Sequence, residues 1–297
     1  MKLKTSTSIV HLKNNFKRIA KSLKRIAQLT KSFFMKIPIY QVDAFTSHVF
    51  GGNPAAVCVL KKWLPTDVMQ QIAIENNLAE TAFVTPQGSH LGLRWFTPET
   101  EIDLCGHATL ATAHVLYKHL KYKGAKIIFE SMSGILEVTQ QGKLLTLNFP
   151  SRPAEPVALP KAIQKALSIQ PSATLKARDY MLVYDSEEAV RNLVVNPTLL
   201  GKFPMDKGGV IVTARGNEAD FVSRFFTPNA SVFEDPVTGS AHCTLIPYWS
   251  AYLNKPELYA LQVSDRLGTL MCKDMGERVH ISGEAKTYLK GEIKINR

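Results

Sequence analysis

Short apolar runs separated by turn-rich segments dominate the chain, which predicts a strand-rich protein with a few helices. From Ile37 onward, IPIYQVDAF, AAVCVL, ETAFVT, LGLRWF and KLLTLNF have the length and boundaries of strands. Three longer runs, TDVMQQIAIENN, GHATLATAHVLYKHL and GSAHCTLIPYWSAYL, have helical composition. Pro247 lies inside the last run, where a proline is expected to kink or shorten a helix.

One motif occurs twice along this pattern. Residues 94–116 have the sequence RWFTPETEIDLCGHATLATAHVL, and residues 224–249 have the sequence RFFTPNASVFEDPVTGSAHCTLIPYW. A proline-rich joint, FPSRPAEPVALP, separates the two halves that contain them. The repeat therefore predicts two related α+β lobes that meet at a cleft.

We divide the chain into an extension, residues 1–34, an N-terminal lobe, residues 35–150, and a C-terminal lobe, residues 151–297. Whether the last strand returns to the first lobe stays open. The extension has a basic amphipathic pattern, which is typical of membrane-surface contact or of a targeting peptide. We favour the plainer alternative, a poorly ordered extension upstream of Met35. Membrane contact is predicted only through this segment.

Composition and charge favour a globular protein and argue against nucleic-acid binding. The chain has 297 residues, with 45% hydrophobic and 21% charged residues, as expected for a globular protein. Of the net charge of +11, residues 1–34 carry nine basic residues and no acidic one, which leaves +2 for the rest. A nearly neutral body without a recognisable binding motif predicts no nucleic-acid partner.

Four cysteines, none of them in a CxxC pair and with no secretory signal before them, predict reduced thiols and a cytoplasmic location. No cluster of His, Cys and Asp has zinc-ligand spacing, and no GxGxxG or P-loop sequence occurs. We therefore expect neither a metal nor a nucleotide cofactor.

Both copies of the motif place a glycine, Gly106 or Gly239, at the start of a predicted helix. The first backbone N–H groups of a helix lack partners within it and lie at the positive end of its dipole. Two such helix starts facing each other across a cleft could hold a small carboxylated molecule. A glycine before a helix is more often only a turn, but the duplication favours a site.

The segments QVDAFTSHVFGGNPAAV, NNLAETAFV, RWFTPETEIDLCGHATLATAHVL and EDPVTGSAHC resemble the PhzF-like family of phenazine biosynthesis-like proteins. The resemblance runs from about Met35 to the C-terminal RVHISGEAKTYLKGEI. It implies a diaminopimelate epimerase-like fold, with two pseudo-symmetric lobes, each a strand-rich barrel around a central helix. It also implies a cofactor-independent enzyme, commonly a homodimer, whose archetype isomerises dihydro-3-hydroxyanthranilate by moving a proton between two carbons.

The resemblance also assigns the acid/base residue. Related cysteine-type racemases place a Cys before the glycine of each lobe, whereas here Cys105 has Thr238 as its counterpart. A threonine hydroxyl does not ionise near neutral pH, so a two-thiol mechanism is not available. In the PhzF-like alternative, Glu80 is the catalytic acid and base, with Asp235 as its partner.

The resemblance implies that the remaining residues of the predicted site bind substrate. They are His107 and Ser240, with the backbone N–H groups at Gly106 and Gly239. Each of these residues could instead cap or pack a helix without contacting a substrate. We interpret Cys105 as structural or peripheral, and Asn53 as a turn residue, with ligand contact as the less favoured alternative.

The predicted function is that of an isomerase moving a proton on a small carboxylated metabolite by glutamate acid/base catalysis. Two alternatives stay open, which are an epimerase or lyase on the same fold and a non-catalytic binding protein that retains the fold.

Overall fold

The computed structural model describes residues 17–23, 34–205, 208–228, 230 and 232–296. Strands dominate and helices are few, so the predicted α+β class is confirmed. None of the described helices is long and apolar enough to cross a membrane. The strands are β1 Phe34–Ala44, β2 Asn53–Val59, β3 Glu80–Gln87, β4 His90–Phe96, β5 Glu101–Ile102, β6 Lys126–Ser131, β7 Gly134–Gln141, β8 Leu144–Pro150, β9 Glu155–Pro156, β10 Ala173–Lys176, β11 Tyr180–Val183, β12 Val210–Arg215, β13 Phe221–Phe226, β14 Glu234–Asp235, β15 Glu257–Gln262, β16 Gly268–Asp274, β17 Arg278–Gly283 and β18 Ala285–Asn296. Among residues 34–296, the α-helices are α1 Thr66–Asn76, α2 Gly106–His114, α3 Lys161–Ala166, α4 Glu187–Asn192, α5 Pro197–Leu200 and α6 Gly239–Leu253, and a π-helix, Val115–His119, follows α2.

The chain forms two compact units. The described parts of residues 1–38 and 292–297 form one, and residues 39–291 form the other. In the first unit, residues 17–23 are helical and exposed, and Lys36 Nζ lies 3.1 Å from Glu292 Oε1. The rest of the predicted amphipathic segment lies outside the described residues.

The N-terminal lobe, within the unit of residues 39–291, surrounds α2 with strands. β2 and β3 pair in parallel, β3 and β4 antiparallel, β4 and β6 in parallel, and β6, β7 and β8 antiparallel. Every residue of α2 is buried, and most are Ala, Thr or Gly. These small side chains allow the surrounding strands to approach the helix closely.

The C-terminal lobe repeats this order of pairings. β11 and β12 pair in parallel, β12 and β13 antiparallel, β13 and β15 in parallel, and β15, β16 and β17 antiparallel. Helix α6 packs against β15, β16 and β17. β17 also pairs antiparallel with β8, which joins the lobes. The predicted pseudo-symmetric architecture is confirmed.

Helix α6 is not shortened at Pro247, in contrast to one of the two predicted effects of this proline. Pro247 has no N–H to donate to the carbonyl of Cys243, four residues earlier. The backbone N–H of Arg152, in the joint between the lobes, donates to that carbonyl at 2.9 Å. The joint thus supplies the hydrogen bond that the proline removes, and the helix continues to Leu253.

Candidate active site

The starts of α2 and α6 are in direct contact. A methyl group added at Gly106 would lie 2.9 Å from Gly239 Cα, and one added at Gly239 would lie 3.0 Å from Gly106 Cα. No side chain fits at either position without moving the opposite backbone. The two predicted glycines therefore bring the lobes together, and the residue after each lies beside this contact.

Glu80 and His107 form an ion pair next to the helix contact. Glu80 is the first residue of β3, and His107 is the second residue of α2. Glu80 Oε2 lies 2.9 Å from His107 Nε2, although the two atoms are not aligned as a hydrogen bond. The side chains are 15% and 3% exposed, respectively. Glu80 thus keeps limited access to solvent, while His107 is enclosed.

The surroundings of His107 favour its protonated form. Burial alone lowers the pKa of His107, but Cys105 and the Glu80 carboxylate oppose this effect, and the net pKa is well above 6.5. Burial raises the pKa of the Cys105 thiol to about 11, so this thiol stays neutral near pH 7. Cys105 and Glu80 are therefore the two neighbours that raise the pKa of His107.

Cys105 lies nearer to this pair than its predicted structural role suggests. Its Sγ atom is 3.6 Å from His107 Nδ1, on the opposite side of the ring from Glu80. Ligand atoms of Glu80, Cys105 and His107 all lie within 4.8 Å of one another, close enough to hold a metal ion. The histidine uses one ring nitrogen toward each neighbour, however, and one ion binds only one of these nitrogens. The arrangement suits a Glu–His–Cys chain of contacts better than a metal centre.

Asn53 connects the first lobe to Asp235 of the second. Its Nδ2 group donates to Asp235 Oδ1 at 2.7 Å and to the carbonyl of Val237 at 2.9 Å, and it lies 3.0 Å from His107 Nδ1. The acceptors fix the orientation of the amide, because its oxygen could not face them. Asn53 is fully buried, and its Oδ1 has no hydrogen-bond partner among the described residues. The interpretation of Asn53 as a turn residue is wrong, since it lies at the start of β2 and joins both halves of the site.

Asp235 is held by three polar side chains. Asn53 donates to one carboxylate oxygen, and Thr238 Oγ1 donates to the other at 2.5 Å. Gln262 Nε2 donates to the backbone carbonyl of Asp235 at 2.8 Å and to Thr238 Oγ1 at 3.1 Å. Burial raises the pKa of Asp235 to about 6, with Glu80 acting in the same direction and His107 against it. Thr238, at the place of a second thiol, therefore binds the acid instead.

Ser240 lies at the second-lobe side of the helix contact. Its hydroxyl accepts a hydrogen bond from Arg178 Nη2 at 3.0 Å. Arg178 in turn pairs with Asp179, whose carboxylate also accepts the backbone N–H of Gly209 at 2.8 Å. The predicted substrate-binding serine thus has a cationic neighbour that sequence reasoning missed.

Hydrogen bonds from Arg266, in the second lobe, fix the loop before Asn53. Arg266 donates to the carbonyls of Gly51 and Gly52 at 2.9 and 2.8 Å, and to the buried carboxylate of Asp43 at 2.9 Å. The backbone N–H of Phe50 donates to the other oxygen of Asp43. Gly52 has a φ of +60°, and an added methyl group there would meet the carbonyl of Ala44. The paired glycines of GGNP therefore allow the tight turn that delivers Asn53.

The structure brings Glu80, His107 and Asp235 into one network, and places Gly106 against Gly239. The structure also shows polar residues that contact the predicted ones. Asn53, Thr238 and Gln262 bind Asp235, and Arg178 binds Ser240. The signal for Asn53 was present in the sequence, as a polar residue directly after two glycines and before an apolar strand. No local signal marks Gln262 or Arg178, because their partners are far away in the sequence.

Comparison with known proteins finds relatives over most of this chain. The family model described as phenazine biosynthesis-like protein matches residues 42–291. A Pseudomonas aeruginosa protein named as an uncharacterized isomerase is 48% identical over 263 residues, which cover 88% of this chain and 100% of that protein. A solved structure of a PhzF-family phenazine biosynthesis protein from Enterococcus faecalis is 48% identical, with a TM-score of 0.84, and covers 88% of this chain and 100% of that one.

A more distant structure shows how far the fold extends. A hydroxyproline epimerase from Agrobacterium vitis has a TM-score of 0.56 at 10% sequence identity, covering 88% of this chain and 93% of its own. At that identity the likeness concerns the fold alone, which agrees with the predicted epimerase-like architecture. The family match over most of the chain and the relatives named as isomerases are more specific. The chain therefore belongs to the phenazine biosynthesis-like family, whose PhzF-type members share its two-lobed fold.

Proposed function

We propose that this protein is an isomerase that moves a proton on a small carboxylated substrate, with Glu80 as the single acid and base. The observation that carries the proposal is the pairing of Glu80 with His107 beside the contact between the two helix starts. Relatives named as isomerases support the reaction class. Asp235, His107 and Ser240 would orient the substrate, together with backbone N–H groups near Gly106 and Gly239.

The position of Glu80 beside His107 supports proton transfer in both directions. Glu80 Oε2 lies 2.9 Å from His107 Nε2. In the proposed reaction the Glu80 carboxylate accepts a proton from carbon and afterwards returns it. A carboxylate that is a base at the start and an acid afterwards is what a proton-moving isomerase needs.

Both proton transfers of the proposed reaction take place between Glu80 and the substrate. In the first step the substrate C–H bond breaks, an O–H bond forms on Glu80, and the bonding electron pair passes into an enolate- or enamine-like system. In the second step the O–H bond breaks and a new C–H bond forms at the neighbouring carbon. Helix N–H groups and the His107 cation would stabilise the intermediate negative charge. No electron leaves the substrate.

Asp235 would serve a different purpose from Glu80. Its carboxylate oxygens already accept hydrogen bonds from Asn53 and Thr238. A group held in this way is better placed to orient a polar substituent of the substrate than to carry a proton between carbons. With a pKa of about 6, it also changes charge at a lower pH than that at which the enzyme would work in a neutral compartment.

The test is incorporation of solvent deuterium at a substrate carbon, followed by NMR in D₂O on a panel of small carboxylates with activated C–H bonds. Dihydro-3-hydroxyanthranilate is the first member of the panel. General acid–base groups typically contribute about 10²–10⁴-fold, so Glu80→Gln should reduce exchange by that factor while the substrate still binds. Asp235→Asn should weaken both binding and rate.

The exposed Glu75, on α1, offers a matched control, and Glu75→Gln should exchange as the wild type does. Unchanged exchange in Glu80→Gln would contradict the mechanism. Exchange at one carbon without net isomerisation would instead favour an epimerase on the same site.

A further inference from the structure

The strand registers show which residues of the two lobes correspond. Phe96 in β4 pairs with Thr81, and Phe226 in β13, at the same place in the repeated motif, pairs with Val210. The residue before Thr81 is Glu80, and the residue before Val210 is Gly209. The second lobe therefore has no side chain at the position where the first lobe has its acid/base residue.

The next strand supplies charged residues at that end of the second lobe. β2 lies parallel to β3 with Ala55 opposite Glu80, and β11 lies parallel to β12 with Tyr180 opposite Val210. Extended by one residue, this register places Asp179 at the position of Ala55. Asp179 is almost fully buried and binds the Gly209 N–H. A carboxylate thus occupies the space beside the missing glutamate, and it holds Arg178.

The residues after the two glycines also correspond, as His107 and Ser240. His107 contacts the Glu80 carboxylate at 2.9 Å, whereas Ser240 accepts a hydrogen bond from the Arg178 guanidinium at 3.0 Å. One side of the Gly106–Gly239 contact therefore presents an anionic base, and the other presents a cation.

The Arg178 guanidinium has N–H groups that can donate further hydrogen bonds. Its Nε and Nη2 groups bind Asp179, and Nη2 also binds Ser240. Its Nη1 group has no hydrogen-bond partner among the described residues, and the side chain is 29% exposed. Asp179 fixes the plane of the guanidinium, so that little entropy is lost when an anion binds to the free edge. A planar guanidinium with free N–H groups matches a carboxylate.

We infer that Arg178 binds the carboxylate of the substrate on the second-lobe side of the cleft, and so turns the reacting carbon toward Glu80. The inference rests on the proposed function for its substrate, but it concerns binding rather than proton transfer. Arg178 is then a specificity-determining residue, selecting anionic substrates over neutral ones of the same shape.

The experiment compares a carboxylate with its amide. Isothermal titration measures binding of 3-hydroxyanthranilate and of 2-amino-3-hydroxybenzamide to the full chain. The wild type should bind the acid more tightly than the amide. Arg178→Gln should weaken acid binding by about 10- to 100-fold, as expected for loss of a charge-assisted hydrogen bond, and leave amide binding unchanged. Arg178→Lys keeps the positive charge but not the planar guanidinium, and it should lose less affinity for the acid than Arg178→Gln does.

Two further variants separate binding from folding. Arg178→Gln leaves the buried Asp179 without its cation, so the double variant Arg178→Gln/Asp179→Asn removes both charges and should show the same loss of acid preference. Arg191 forms a comparable ion pair with Glu187 in the same lobe, and Arg191→Gln should keep the wild-type preference.

A wild type that binds the acid no better than the amide would overturn the inference, as would an acid preference that persists in both Arg178 variants lacking the charge. Glu80→Gln should retain the acid preference. Loss of exchange chemistry and loss of carboxylate selection are therefore distinguishable, and either idea can fail alone.

Discussion

The two copies of the Arg-aromatic-Phe-Thr-Pro motif fold in the same way. Arg94 binds both carboxylate oxygens of Glu101 at 2.6 Å, and Arg224 binds both of those of Glu234 at 2.8 and 2.7 Å. In each copy the arginine also lies over the phenylalanine two residues later. Five residues after the acid, each chain segment reaches its helix-start glycine. The scaffold of the site is thus built twice.

The copies differ in several of the side chains that the repeated strands and helices carry. Trp95 pairs with Ile102 in the first lobe, whereas Phe225 pairs with Asp235 at the equivalent place in the second. Glu80, the proposed acid/base residue, corresponds to Gly209, and His107 corresponds to Ser240. A repeated backbone therefore carries two different sets of side chains, and under the proposed function this asymmetry assigns proton transfer to the first lobe.

The contact between the two glycines should be the most sensitive point of the shared scaffold. Gly106→Ala and Gly239→Ala should each destabilise the protein by about 3 kcal/mol, because the added methyl group meets the opposite backbone at 3.0 Å or less. Displacement of the cleft by about 1 Å should also lower exchange by about 100-fold.

Urea denaturation measures the free energy of unfolding. Gly291→Ala, whose added methyl group would meet its neighbours only at 3.6 Å or more, is the control and should be nearly neutral. Equal stability of all three variants would show that the lobes do not touch as described.

The two arginines of the motif should differ in their effect on stability. Arg224 also donates to the backbone carbonyls of Val190 and Leu193, whereas Arg94 has only the hydroxyl of Thr66 as a further hydrogen-bond partner among the described residues. Arg224→Gln should therefore cost about 2 kcal/mol, and Arg94→Gln about 1 kcal/mol. Denaturation of both variants under one set of conditions checks the order, and the opposite order would contradict it.

The buried acid of the second lobe should make stability depend on pH. Burial raises the pKa of Asp235 from 3.8 to about 6, so the folded state holds this proton more tightly than the unfolded state does. The resulting stabilisation is complete below about pH 4 and is lost as the pH rises through about 6. Asp235→Asn lacks this titration, and should gain on the order of 1 kcal/mol relative to the wild type between pH 4.5 and 7.5.

The free energies of unfolding of wild type and variant are compared across that range. Asp103, an exposed acid in the first copy of the motif, provides the control substitution Asp103→Asn. A difference between Asp235→Asn and wild type that does not change with pH would show that this carboxyl titrates normally.

The features that local sequence could predict are those that the repeat contains. The strand-rich class, the family and the two lobes follow from patterns within short segments. Asn53 was misread because its partners His107, Asp235 and Val237 lie 54, 182 and 184 positions away. The bond between Arg178 and Ser240 likewise spans 62 positions.

The uninterrupted helix through Pro247 has the same explanation. The hydrogen bond that replaces the missing one comes from Arg152, in the joint between the lobes. The sequence of the helix alone does not show that donor, so it allows a shortening that the fold prevents. Local pattern thus predicts elements, whereas partners across the fold decide which polar residues belong to the site.

The most direct test of the central claim is to measure solvent-deuterium exchange for Glu80→Gln and Cys105→Ser side by side, with the wild type, on the same substrate. Both residues contact His107, one on each side of its ring. If the first lobe works through its carboxylate, Glu80→Gln should lose about 10²–10⁴-fold in exchange, while Cys105→Ser should stay within a few-fold of wild type. The reverse result, with exchange lost in Cys105→Ser and retained in Glu80→Gln, would contradict the account and point to a thiol as the proton carrier.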